Sequence, residues 1–318
     1  MTQTLAPAVA FHGTCFGFAV QSTLPFAYLR QGSGTPLQIT ELNSARSTTP
    51  GPVIARWTGG PDNIETRLHS IGGEDQLWIE YVGWFKIDSR LPEIGLPDLP
   101  SEAANPAVRD QLMAWREASL WGLPAILCSM RRGSYPLHAA SVDVGGSGLL
   151  LGAPGTFGKT TLAAAFLRAG HRLLSDDMAC CDLAAGATVL PGPAVLRLRR
   201  DVADQLELPG TRFAFKTAPK VALAVEESAR GDGSPVPLRA IVLLHKSKDG
   251  AKLTRAALPD AARDLFVLSP KAVIDPASAF QDAAQLAESV PVWYLDRKLD
   301  MASLPQLVDM IIDGCLSP

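Results

Sequence analysis

Apolar positions change their period along the chain, and the changes mark three regions. Through residues 1–100 apolar residues come in short runs, Cys15–Val20, Leu37–Leu42, Val53–Trp57 and Leu77–Val82, broken by clusters of Gly, Pro, Asn and Ser. That is the pattern of short strands between turns. Trp78–Val82 and Gly83–Ile87 read as two adjoining strands, and the proline-dense stretch Leu91–Pro100 as a linker. Beyond it Val108, Leu112, Trp115 and Leu120 recur at spacings of three to five behind Pro106, which predicts a helix over Asn105–Leu120. Gly122-Leu123-Pro124 interrupts that pattern, and Ala125–Met130 continues it as a second short helix.

From Leu137 strands and helices alternate. Ala139–Val144 and Leu149–Leu151 read as strands joined across Gly145-Gly146-Ser147-Gly148, a hairpin signal. A glycine-bearing loop follows, then a helix over Lys159–Ala169 closed by Gly170, then the strand Arg172–Ser175. Further strands are expected at Lys220–Val225, Ala240–His245 and Val290–Leu295, with helices at Pro259–Leu268, Pro276–Ser289 and Leu304–Gly314. The expected architecture is an α/β domain with a mixed sheet over residues 137–318, preceded by a smaller β-rich domain over 1–100 and a helical connector over 101–136. No internal repeat is evident.

Composition narrows the function classes. At 318 residues, 47% hydrophobic and 19% charged, the chain can bury more than one ordinary core and is not of disordered type. A net charge of −3 with no long basic run makes nucleic acid and membrane surfaces unexpected partners. The five cysteines, Cys15, Cys128, Cys180, Cys181 and Cys315, are odd in number and show no C-x-x-C spacing, which excludes a disulfide framework as the organising device. Cys180-Cys181 reads as a buried strand pair. With no secretory leader pattern and no apolar run of about 18 residues, the expected location is the cytoplasm.

The glycine-bearing loop carries the first chemistry. Ala153-Pro154-Gly155-Thr156-Phe157-Gly158-Lys159-Thr160-Thr161 fits the phosphate-loop pattern of four free positions followed by Gly-Lys-Ser/Thr, with Ala153 where the pattern opens on glycine. Backbone N–H groups feeding a helix N-terminus converge on an anion, and glycines at 155 and 158 let the backbone come close. Lys159 would neutralise β- and γ-phosphates, and the Thr160 hydroxyl would meet Mg²⁺. ATP and Mg²⁺ are therefore the expected ligands.

Asp176-Asp177 lies seventeen residues beyond Lys159, after helix, glycine and strand. A crossover of this kind returns the chain parallel to its start, so both strands end on one sheet edge and the pair should sit beside the loop. Two carboxylates there can divide two tasks, one serving the metal and one taking a proton from an acceptor hydroxyl; which does which stays open. His138, before the strand that pairs with the loop strand, is a third candidate. Among the cations that follow, Arg197, Arg199, Arg200, Arg212 and Lys216, the last is preferred as a counter-charge to the transferred phosphoryl, because Phe213-Ala214-Phe215 would hold it in place.

His138, Ser141-Val142-Asp143-Val144, Ala153–Thr160, Arg168-Ala169-Gly170-His171-Arg172-Leu173 and Asp176-Asp177 together resemble the catalytic domain of HPr kinase/phosphorylase in order and spacing. The resemblance implies that His138 and Asp177 serve the acid/base step, with Asp176 next to the metal. The family's later Glu and Arg-Gly-x-Gly stretch is replaced here by Pro191–Arg200, so the chain looks like the broader HPr-kinase-like group, some of whose members phosphorylate a serine of a precursor peptide. The expected function is ATP-dependent phosphorylation of a hydroxyl, chiefly serine in a peptide or small protein. The alternatives are a small-molecule (sugar or polyol) kinase and a non-catalytic ATP-binding module. A homo-oligomer is compatible with the reading.

Overall fold

The computed structural model describes residues 10–42, 50–59, 64–72, 74–88, 92–99, 101–184, 186–217 and 220–316. It is a mixed α/β structure built on several sheets. The first sheet has eight strands: β1 (Ala10–Cys15), β2 (Phe18–Ser22), β3 (Thr35–Glu41), β4 (Val53–Gly59), β5 (Ile64–Ile71), β6 (Glu74–Ile79), β7 (Gly83–Asp88) and β8 (Glu93–Leu96). Their order is β1-β2-β3-β8-β7-β6-β5-β4, parallel where β3 meets β2 and β8 and antiparallel elsewhere.

Three expectations for this region are corrected. Cys15–Val20 is not one strand, because Phe16 and Gly17, at φ 50° and 77°, turn β1 back into β2. Two successive residues with positive φ make the hairpin turn whose twist suits antiparallel strands. The strand expected to run to Val82 stops at Ile79, with Tyr81 at φ 64° in the turn to β7. The expected linker contains β8. Ile94 and Leu96 alternate into the core while Pro92 and Pro97 flank the strand, where a missing N–H costs no ladder bond. Leu91 and Pro100 lie outside the described residues.

Helices α1 (Pro106–Leu120) and α2 (Leu123–Arg131) follow, broken at Gly122 as expected, with Pro124 in the first turn of α2, where no helical N–H is needed. Leu120, Trp121, Ile126 and Leu127 pack with Leu37, Ile39, Phe85 and Ile94 in one apolar cluster.

The second sheet carries the loop. Along the chain come β9 (Tyr135–Leu137), β10 (Ala139–Val144), β11 (Ser147–Gly152), α3 (Lys159–Arg168), β12 (Arg172–Ser175), β13 (Ala179–Asp182), β14 (Thr188–Leu190), β15 (Val195–Arg199), α4 (Arg200–Leu206), β16 (Thr211–Thr217), β17 (Lys220–Val225), α5 (Glu227–Arg230), β18 (Val236–Lys246), β19 (Lys252–Arg255), α6 (Leu258–Leu268), α7 (Lys271–Ile274), α8 (Pro276–Ser289), β20 (Val292–Arg297) and α9 (Leu304–Cys315). The nine-stranded sheet runs β12-β10-β11-β18-β14-β13-β9, with β20 also on β18 and β19 beyond it. β11, β18 and β20 are parallel, so Gly152, Lys246 and Arg297 finish at one edge. Helices α3 and α9 cover one face through Leu162, Phe166, Leu307 and Ile311, and α6 and α8 the other through Leu265, Ala283 and Leu286. The remaining sheet is three-stranded, β15-β17-β16. Cys180 and Cys181 are fully buried in β13 with free thiols. Among the described residues no helix is long and apolar enough to cross a membrane.

Candidate active site

The loop leaves β11 at Gly152 and enters α3 at Lys159. Ala153 is 2% exposed, stays out of the left-handed region and sets its methyl in the core under α3, so an L-residue opens the loop without strain. Thr156 and Gly158 do take left-handed backbone, at φ 65° and 80°. Pro154, Gly155 and Thr156 are exposed, while Phe157 is half-buried beneath the Lys246 ammonium, 4.4 Å from its ring centre. Lys159 is buried, and its Nζ folds back to donate to the Ala153 and Pro154 carbonyls at 2.8 and 3.3 Å. Burial pushes its pKa down, against the pull of Asp177 and Asp176. Thr161 follows on α3, half-buried.

The aspartates reach this loop by a route that differs in one respect from the expected one. β11 and β12 are parallel to each other, but β10 lies between them, antiparallel to both, so the crossover spans a strand rather than joining neighbours. Both strands still end at one edge. There Thr160 Oγ1 donates to Asp176 Oδ1 at 2.7 Å, and the Arg197 N–H donates to Asp176 Oδ2 at 2.9 Å. Asp176 is buried; burial and then the neighbouring Asp177 push its carboxyl above the usual range, against the Arg197 charge and these two bonds. Asp177, at φ 69° and half-exposed, turns its carboxylate the other way. Its Oδ1 lies 3.4 Å from His138 Nε2, and its Oδ2 accepts from the Arg197 guanidinium at 2.5 Å. Partial desolvation would raise this carboxyl, but Arg197, the His138 bond and Lys220 together hold it well below the usual carboxylate range. Asp177 in turn raises Arg197. His138 is itself held by its N–H to the Leu268 carbonyl at 2.8 Å.

Lys216 does not join this group. Strand side chains alternate between faces, and directly paired residues share one. Arg199 pairs with Lys220, and Arg197 and Phe215 both pair with Ala222, so Arg197, Arg199, Lys220 and Phe215 lie on one face of the three-stranded sheet. Lys216 pairs with Val221, as Leu198 does, and so lies on the other face, exposed, with its carbonyl taking Gln111. The cation bonded to the pair is Arg197, with Lys220 near enough to act on both Asp177 and Lys159. Arg199 is occupied with Asp201, and Arg200 and Arg212 are exposed.

Two arginines that no sequence signal singled out support the site from behind. Arg30, 1% exposed, reaches from the N-terminal region to the carbonyls of Leu173 and Leu174 in β12, each at 2.9 Å, of Gly192 at 2.9 Å, and of Arg230. It thereby fastens the strand that ends at the aspartates. Arg297, at the end of β20, reaches the Phe157 carbonyl in the glycine-bearing loop. A cation after a short strand looks like any surface residue in sequence; only the strand order brings it inward.

A hydroxyl and a carboxylate are hard oxygen donors of the kind Mg²⁺ takes, and Thr160 and Asp176 present both within one hydrogen bond. Among the described residues no cluster of three or more His, Cys, Asp or Glu could hold a metal alone. An ion here would need ligands from phosphate and water, the usual arrangement for Mg²⁺.

No protein-family model and no curated protein matches the chain. Among solved structures it is similar to the Hpr(Ser) kinase/phosphatase from Coxiella burnetii, at 11% identity over 56% of this chain and 94% of that one, with a TM-score of 0.31. That is a distant structural relationship at most.

Proposed function

We propose that this protein is an ATP-dependent phosphotransferase that moves the γ-phosphoryl group to a hydroxyl, that of a serine in a peptide or small protein. The observation that carries the reading is the 2.7 Å bond between the loop hydroxyl of Thr160 and the Asp176 carboxylate, with Asp177, His138 and Arg197 immediately beyond. A glycine turn before an ordinary helix has no need of a buried carboxylate on its first threonine.

In this reading the N–H groups of residues 155–161 and the Lys159 ammonium bind the phosphates. Thr160 and Asp176 would hold Mg²⁺, which would neutralise phosphate charge. The acceptor oxygen forms its bond to the γ-phosphorus as the bond to the ADP oxygen breaks, and the hydroxyl proton passes to Asp177. The Arg197 clamp keeps that carboxylate ionised, and by the same attraction makes it a weak base. Its weak basicity suits a loose transition state in which the hydroxyl sheds its proton late. His138 orients Asp177 and the acceptor. Residues 137–318 form the catalytic domain, residues 1–100 a domain for acceptor or partner, and 101–136 the connector.

The test is ADP formation from Mg·ATP with serine-containing peptides or small proteins, followed by mass spectrometry of the acceptor. The wild type should phosphorylate an acceptor, while Lys159→Ala, still folded, should lose transfer by roughly 10²-fold or more. Tight ATP binding with no transfer to any hydroxyl would replace this reading with that of a nucleotide-binding module. Equal activity in Lys159→Ala would remove the loop from the chemistry.

A further inference from the structure

Arg297 ends β20 at the sheet edge where β11 delivers the phosphate loop, and it is 2% exposed. Its Nη2 donates to the carbonyls of Phe157 and Gly158 at 3.0 and 3.3 Å, and its Nη1 to that of Lys298 at 3.4 Å. Its Nε has no acceptor among the described residues, and no carboxylate among them offsets its charge. A buried charge without a counter-charge is costly, and burial accordingly pushes this guanidinium below its ordinary pKa.

The bonds have a direction that matters. In a trans peptide the C=O and the following N–H point opposite ways. Holding the Phe157 and Gly158 carbonyls on the Arg297 side therefore turns the N–H groups of Gly158 and Lys159 to the other side. That is where the N-terminus of α3 favours an anion. The Gly158 carbonyl also accepts the Leu162 N–H at 3.0 Å, which fixes the second plane from the helix. A Cβ on residue 158 would lie 2.5 Å from Arg297 Nη2, so glycine there answers to the guanidinium as well as to its φ of 80°.

We propose that Arg297 is the positioning residue of the phosphate loop: it orients the two peptide groups that face a polyphosphate, and the bound polyphosphate provides the counter-charge that Arg297 lacks within the protein. The inference rests on reading residues 153–161 as a nucleotide-binding loop. Polyphosphate affinity and the local conformation of the loop are thus coupled through one side chain that never touches the ligand.

The experiment measures inorganic pyrophosphate and Mg·ATP binding by calorimetry on the full chain, for the wild type, Arg297→Met and Arg297→Lys. Arg297→Met should weaken both ligands by about tenfold to a hundredfold, the loss of hydrogen bonds from a charged donor. Low-millimolar guanidinium chloride should restore much of that affinity where equal sodium chloride does not, and Arg297→Lys should fall between. A purely space-filling role would show no guanidinium rescue. Should Arg297→Met fail to fold, Arg297→Lys carries the test alone through the same affinity measurement. Affinity within about twofold of wild type in the folded variants, or a loss that guanidinium does not relieve and lysine does not soften, overturns the proposal. If the wild type binds neither ligand, the phosphate-loop reading itself fails; wild-type binding with unaffected variants sinks the Arg297 inference alone.

Discussion

Asp176→Asn separates stability from function at this site. The carboxylate is buried beside a second carboxylate, and its two bonds are to the Thr160 hydroxyl and the Arg197 N–H. Asparagine can keep both: its carbonyl accepts from Arg197, and its amide donates to Thr160 Oγ1, which accepts as readily as it donates. Only the charge is lost. Because burial and Asp177 raise the folded-state pKa above the unfolded 3.8, the folded protein binds more protons over the window that opens at that value. Wild-type stability therefore falls as pH rises from about 3.8 to the raised value, and the penalty persists above it. The variant carries no such penalty. At pH 7 in EDTA it should be more stable than wild type by about 1 kcal/mol, a rise in Tm of about 1–2 °C. Below about pH 3.8, where Asp176 is protonated in both states, the difference should vanish. Metal-dependent binding should move the other way, with Mg·ATP affinity down about tenfold or more and partly recovered by Mn²⁺. Urea denaturation across pH and calorimetry across a metal titration supply the two readouts. A variant about 1 kcal/mol less stable than wild type at pH 7 would refute the reasoning, because the charge would then be part of the structural support.

Arg30→Met keeps the bulk but removes the guanidinium bonds to the carbonyls of Leu173, Leu174 and Gly192, of which Leu174 still accepts the Gly192 N–H, so it should cost about 3 kcal/mol in urea denaturation. A loss below about 1 kcal/mol would mean that water enters and replaces the guanidinium. Lys220→Ala should lower turnover about tenfold by removing a cation that acts on Asp177 and Lys159, whereas Lys216→Ala, on the opposite sheet face, should leave turnover within about twofold. The reverse ranking in steady-state kinetics would contradict the strand register.

Local chemistry wrote part of this protein directly into its sequence. The hairpin around Gly145-Gly146, the break at Gly122, the glycine-bearing loop after Gly152 and the helix from Lys159 are set by turn preferences, period and glycine freedom within a few residues, and each lies where those rules put it. The meeting of Thr160 and Asp176 was also legible, since strand–helix–strand handedness returns the chain to one edge whether or not a third strand intervenes. Other features were not. β8 hid inside a proline-rich stretch because two prolines flank a strand as readily as they stiffen a linker. Lys216 looked well held by the preceding Phe213-Ala214-Phe215, yet the face it takes depends on register with β17, and one residue of register reverses every side chain. Arg30 and Arg297 stand far along the chain from everything they touch, 143 residues from Leu173 in one case and 140 from Phe157 in the other. Nothing local distinguishes a cation bound for a buried carbonyl cluster from one bound for water. Strand order decides that, because it determines which chain ends converge and which carbonyls are left for a guanidinium to satisfy.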